Sequence, residues 1–101
     1  MNAFQQPNRD FPVLISLALA SVNRFVALLD PLQVNFSRFD KCRTQVLGLP
    51  LRKSELNHLH RLLDKSERYL RYGELGAVKF ELNLIAEILS QRLAKLSGTT
   101  R

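Results

Sequence analysis

The chain has 101 residues, 46% of them hydrophobic, which suits one domain with one core and excludes wholesale disorder. Lys and Arg total 15 against 9 for Asp and Glu, a formal net charge of +6. That excess favours acidic partners such as nucleic acid, an acidic protein tail or an anionic surface, although it also serves solubility. The single cysteine, Cys42, excludes an intramolecular disulfide and a cysteine-rich zinc site, and fits a reducing cytoplasm.

The opening segment is polar, with Gln5, Gln6, Pro7 and Asn8, so residues 1–10 are expected to be flexible and residues 11–98 to form one domain. A first helix is expected from Pro12 to about Leu29, with Asp10 as its N-cap. Leu14, Leu17, Val22, Phe25 and Leu29 cover one broad side of it, widened by Ile15, Leu19 and Val26. So wide an apolar surface implies burial on more than one side. The run Val13 to Val22 falls short of the roughly 20 residues of a membrane helix. It resembles a signal peptide in its Ala18-Leu19-Ala20, but Arg9 is offset by Asp10 and the basic region is weak. No membrane contact is expected, and the location expected is cytoplasmic.

Asp30-Pro31 ends the first helix. Phe36 to Val46 reads as a shorter second helix, broken by Gly48 and Pro50. A third is expected from Glu55 to Tyr72, with Ser54 as N-cap and Gly73 as left-handed C-cap. The fourth runs from Glu74 to about Ser97, closed by Gly98, and residues 99–101 form a tail. Leu56, Leu59, Leu63 and Leu70 make one stripe; Val78, Leu82, Ile85, Leu89, Leu93 and Leu96 make the next. No strand pattern competes with them. The fold expected is all-α, a compact antiparallel four-helix bundle.

Little in the chain points to catalysis. His58 and His60 are two apart and diverge on a helix, so they cannot share a metal. Cys42 lies between Lys41 and Arg43, which favours a thiolate, but it could equally face the core. Glu81 and Glu87 share no face, and no glycine-rich phosphate loop is present. No enzyme activity, cofactor or metal is expected. The cationic side chains offer more. His58, Arg61, Lys65 and Arg68 fall within about 80° of the third helix, with Arg71 at the margin. Such a row attracts polyanions, and it is also what the wet side of any amphipathic helix looks like. Tyr69 and Tyr72 flank it and could stack on a base. Arg38, Lys41 and Arg43 on the second helix, and Arg52 and Lys53 in the link after it, would extend the row if they fold beside the third.

The opening apolar helix, then Ser37-Arg38-Phe39-Asp40, then two helices joined by a short link, resembles the N-terminal helical domain of the PriC family, primosomal replication protein N″ of bacterial replication restart. Leu75-Gly76-Ala77-Val78 stands where that family has a Leu-x-x-Val-like turn, and the likeness spans roughly residues 13–96. The chain departs from the family in Lys41, Cys42, Arg43 and Thr44, where a Leu-Phe pair is usual. The family's arginine-rich C-terminal half, associated with single-stranded DNA and the acidic tail of its binding protein, has no counterpart after Leu96. The resemblance implies a domain fragment or shortened homologue that acts as a non-enzymatic adaptor. Its partners would be the replicative helicase or its loader, with single-stranded DNA and single-stranded DNA-binding protein as further ones. Arg61, Lys65, Arg68 and Arg71 would supply the charge, extended by Arg38 and Lys41. The alternative, on the wide apolar first helix, is a regulator or chaperone that docks a partner helix in an apolar groove and has no link to DNA. A homodimer burying that helix is a third arrangement.

Overall fold

The computed structural model of the protein describes residues 6–97. Four helices follow one another: α1 (Gln6–Ala27), α2 (Phe36–Leu47), α3 (Lys53–Arg71) and α4 (Leu75–Ser97). Among the described residues there is no strand beyond one bridge between Asp30 and Gln33. Gly98, the expected stop of α4, and the tail after it lie outside the described residues, as do Met1 to Gln5.

Local chemistry explains most of the boundaries. Asn35 caps α2, its Oδ1 accepting the Arg38 N–H at 2.9 Å. Arg52, not Ser54, occupies the N-cap of α3. The stabilising contact there comes from Glu55, whose carboxylate accepts the Arg52 N–H at 3.1 Å and so satisfies the cap from inside the first turn. Gly73 adopts φ 74° just past α3, the left-handed geometry a helix C-terminus favours. Its N–H and that of Glu74 bond back to Leu70 and Tyr69.

α1 differs from expectation at its start. It begins at Gln6, so Asp10 lies inside it and does not cap it, and Pro12 is an interior residue. Proline's fixed φ is compatible with the helix, but it withholds the donor that would have met the carbonyl of Asn8 and its ring crowds that carbonyl. The window Asp10–Ala27, 18 residues with mean hydropathy 1.4, also matches a membrane helix in length and composition, which the shorter uninterrupted run does not suggest. One side of it is core.

The seams show antiparallel packing throughout. Phe25 of α1 meets Phe39 of α2 edge-on at 5.5 Å between ring centroids. Across α2 and α3, Arg43 reaches Asp64 while Arg71 lies over the Phe36 ring. Across α3 and α4, Lys65 approaches Glu81 and Arg92 pairs with Glu55. On each of these last two seams the numbers rise along one helix as they fall along the other. α4 packs along both α1 and α3, and α2 bridges α1 and α3, which places α1 diagonal to α3. This is the antiparallel four-helix bundle that the periodicity predicts.

The core is built from Ile15, Ala18, Val22 and Phe25 of α1, Phe39, Cys42 and Val46 of α2, and most of the expected stripes of α3 and α4, Leu56 being only half-buried and outside it. Leu62 joins Leu59, Leu63 and Leu70, whereas Leu96 at the far end of α4 stays exposed. For α1 the expected face is only half right. Val22 and Phe25 are buried, but Leu14 and Leu17 are 41% and 53% exposed, and Ile15 and Ala18 take the inner positions. A helix apolar on nearly every side gives its periodicity no means of choosing between adjacent stripes.

Candidate nucleic-acid or acidic-partner interface

The outward ridge of α3 carries the expected cations. His58, Arg61, Lys65 and Arg68 converge on one shallow surface depression of about 350 Å³, floored by Leu62. The ridge points outward because Leu59, Leu63 and Leu70 turn the opposite face of α3 into the core. Among the described residues Arg61 and Arg68 have no carboxylate partner. Lys65 is only loosely held, its Nζ 3.9 Å from Glu81 Oε2. Asp64 borders the same depression, but Arg43 and His60 already engage its two oxygens at 2.6 and 3.1 Å. The Arg43 guanidinium bonded to Asp64 holds that carboxyl below its usual range, aided by His60. The ridge therefore offers exposed positive charge with its nearest acid occupied elsewhere.

Arg71 is placed differently. It sits on the flank of α3 that faces α2, bonded to Glu67 at 2.8 Å and 6.0 Å above the Phe36 ring centroid. Glu67 in turn accepts from Arg43 at 3.2 Å. Arg43, Asp64, Glu67 and Arg71 thus form one network along the α2/α3 seam, and Arg71 is less available than the ridge residues. Tyr72 is exposed beside the ridge, while Tyr69 is half-buried and packs against the core.

Arg38 and Lys41 do not join this ridge. Both line a cavity of about 880 Å³ between α1 and α2, together with Ser21 and Arg24. α2 offers α3 its other flank, where Phe36 and Arg43 make the contacts. The basic residues thus occur as two separate groups, one on α3 and one in the α1/α2 groove, and the condition for one continuous surface is not met. Arg24 belongs to the second group and is not singled out by the sequence reading. Its signal is its register, three residues after Ser21 and four before Leu28, on a flank of α1 that no core residue claims.

Cys42 is fully buried, and burial pushes its thiol up to about 11 against the opposing hydrogen bond from Ser21. The neutral thiol, not the thiolate, is the form held at physiological pH. His60 turns to Asp64 while His58 turns to the ridge, so the two diverge. Arg92 pairs with Glu55 and lies over the Phe11 ring, a bridge between α3 and α4 more specific than the end-of-helix role its position suggests. Glu81 is the one buried acid among the described residues, with Oε1 lacking any partner. Comparison of the chain with protein-family models, curated proteins and solved structures gives no match.

Proposed function

We propose that the protein is a non-enzymatic, cytoplasmic adaptor of bacterial replication restart, meeting single-stranded DNA or an acidic surface of the replication machinery through the α3 ridge. The observation that carries the reading is the pair Arg61 and Arg68, exposed on one rigid helix and free of carboxylate partners among the described residues. Charges already neutralised within a fold release few counterions on binding, whereas unpaired ones contribute fully. The resemblance to the PriC N-terminal domain supplies the biological setting, with the replicative helicase or its loader as protein partner and single-stranded DNA-binding protein as another. Arg71 contributes less, because Glu67 competes for it.

The test uses Arg61→Glu with Arg68→Glu, leaving Lys65 intact because a glutamate there would face the buried Glu81. Anisotropy of a labelled oligo-dT, titrated at several salt concentrations, should show loss of binding at low salt. Neutralising the same two arginines to alanine should reduce the slope of log K against log salt by about 1.4, at roughly 0.7 per phosphate contact on a single strand. Co-purification of replicative helicase from bacterial extract, after nuclease treatment, should fall in parallel if protein is the partner. Oligonucleotide affinity and helicase recovery both unchanged by the double reversal would overturn the reading.

A second reading rests on a different observation, the exposed apolar flank of α1 at Leu14, Leu17 and Leu28. Such a seam suits a module that docks a helix, with no involvement of DNA.

A further inference from the structure

Two cavities, of about 880 and 780 Å³, run into one another along the α1/α2 groove and share Arg24, Phe25, Asn35 and Arg38. Arg24, Arg38 and Lys41 rim this groove, and among the described residues none of the three has a carboxylate partner. Two acids face it. Asp40 lies at the rim, and Asp30 stands at one end with its Oδ1 accepting the Leu32 N–H at 2.9 Å.

On α1 the groove wall of Ser21, Arg24 and Leu28 belongs to a longer stripe that continues past the two cavities to Leu17 and Leu14. Leu14, Leu17, Ser21, Arg24 and Leu28 follow one another at alternating spacings of three and four residues, the register of a helix-packing seam. Ser21 and Arg24 line the cavity, and Leu14, Leu17 and Leu28 are all exposed. α2 leaves this stripe uncovered along most of its length. Ser21 lies against Cys42, and α2 ends at Leu47, little more than one turn further on. At the opposite end Phe36, 41% exposed, adds an apolar surface across from Leu28.

We propose that the α1/α2 groove docks an acidic amphipathic helix of a partner protein, apolar side chains on Leu14, Leu17 and Leu28, carboxylates on Arg24, Arg38 and Lys41. This deepens the second reading above and is independent of the α3 ridge. Leu14 to Leu28 spans about 21 Å at 1.5 Å per residue, the length of roughly four helical turns. Charge complementarity selects the occupant. Nucleic acid would satisfy the cations but present no apolar side chains to the leucines. A second copy would bring another chain of net charge +6 to a groove whose three cations outnumber its two acids. The chain's own outer residues, Met1 to Gln5 and Gly98 to Arg101, include no acid.

The probe is a fluorescein-labelled synthetic helix of about 18 residues, leucine at heptad positions a and d and glutamate at e and g, beside a twin with lysine at e and g. The glutamate helix should bind at least about tenfold more tightly than its twin. Arg24→Glu with Arg38→Glu should invert that preference, and Lys41→Glu should weaken the glutamate helix in the same direction. All three residues are exposed and unpaired, so these variants leave the core intact. Arg61→Glu with Arg68→Glu should leave the affinity within about twofold, which separates this groove from the α3 ridge. Equal affinity for the two helices, or a groove variant indistinguishable from wild type, overturns the proposal. So does a dilution-sensitive dimer that excludes the helix, or oligo-dT that displaces it in an Arg24- and Arg38-dependent manner.

Discussion

In the α3–α4 hairpin the link is Tyr72 to Glu74, the inner stripes of both helices are buried, and the charges between them are matched as Lys65–Glu81 and Glu55–Arg92. In the α1–α2 pair the link runs from Leu28 to Asn35, a helix of 22 residues faces one of 12, and Leu14, Leu17 and Leu28 remain exposed. Arg24, Arg38 and Lys41 stand around that second seam, and among the described residues none is paired with a carboxylate although Asp30 and Asp40 share the groove. Partners of matched length and charge consume each other's side chains; mismatched partners leave both apolar area and charge over. The difference teaches that α1 has more apolar surface than this bundle uses. A helix in that condition holds the fold with one face and is free to meet something else with another.

The sharpest way to break this comparison is within the α1–α2 pair itself. Phe39→Ala removes a ring that is fully buried against Phe25, and should cost about 3–5 kcal/mol in urea denaturation. Leu17→Ala, on the open seam, should change stability by less than about 0.5 kcal/mol. Equal losses at the two sites would mean that the α1 flank is covered after all.

The tightness of the α3–α4 hairpin is tested at Gly73. A Cβ there meets nothing within 4 Å, so Gly73→Ala isolates the strain of φ 74° and should cost about 1 kcal/mol. A neutral result would show that the turn relaxes without penalty. Inside the same hairpin Glu81 qualifies the idea of matched charge, since one of its oxygens is buried without a partner. Glu81→Leu should leave stability unchanged or raise it by about 1 kcal/mol, because a well-packed leucine avoids desolvating a carboxylate. A clear loss would show that Lys65 at 3.9 Å does more than its distance suggests.

The smallest effect is expected at the seam that joins the two halves. Asp64 has its pKa lowered in the folded state, first by the hydrogen bond from Arg43. A depressed folded pKa means stabilisation that is complete above the unfolded value, 3.8, and lost as pH falls through the folded one. The difference in stability between wild type and Asp64→Asn should thus be present at neutral pH and shrink below 3.8. A difference independent of pH would assign the Arg43 contact to packing instead of charge.

Much of this architecture is legible in the order of residues alone. α2 and α4 fall within a residue or two of their expected bounds, because Asp30-Pro31, Gly48, Pro50 and Gly73 punctuate the chain locally. Leu59, Leu63 and Leu70 are readable as core, since only one face of α3 is apolar. The same clarity on its other face places Arg61, Lys65 and Arg68 on one ridge. α1 resists for the opposite reason, and Pro12 suggests a start where the helix is already under way. Arg71 is placed at the margin of the row by helical angle alone and Arg38 and Lys41 only on condition that α2 folds beside it, and neither says which flank of a helix meets which neighbour.

Sequence by itself determined the helices, their short connections and the inner faces of α3 and α4, since period, caps and turn residues act over a few positions. Tertiary structure alone decided that Glu67 competes for Arg71, that Glu55 reaches Arg92, and which flank of α1 is left exposed. These outcomes depend on side chains brought together from distant parts of the chain. The charge left for a partner is whatever such meetings do not neutralise, and no local pattern encodes that remainder.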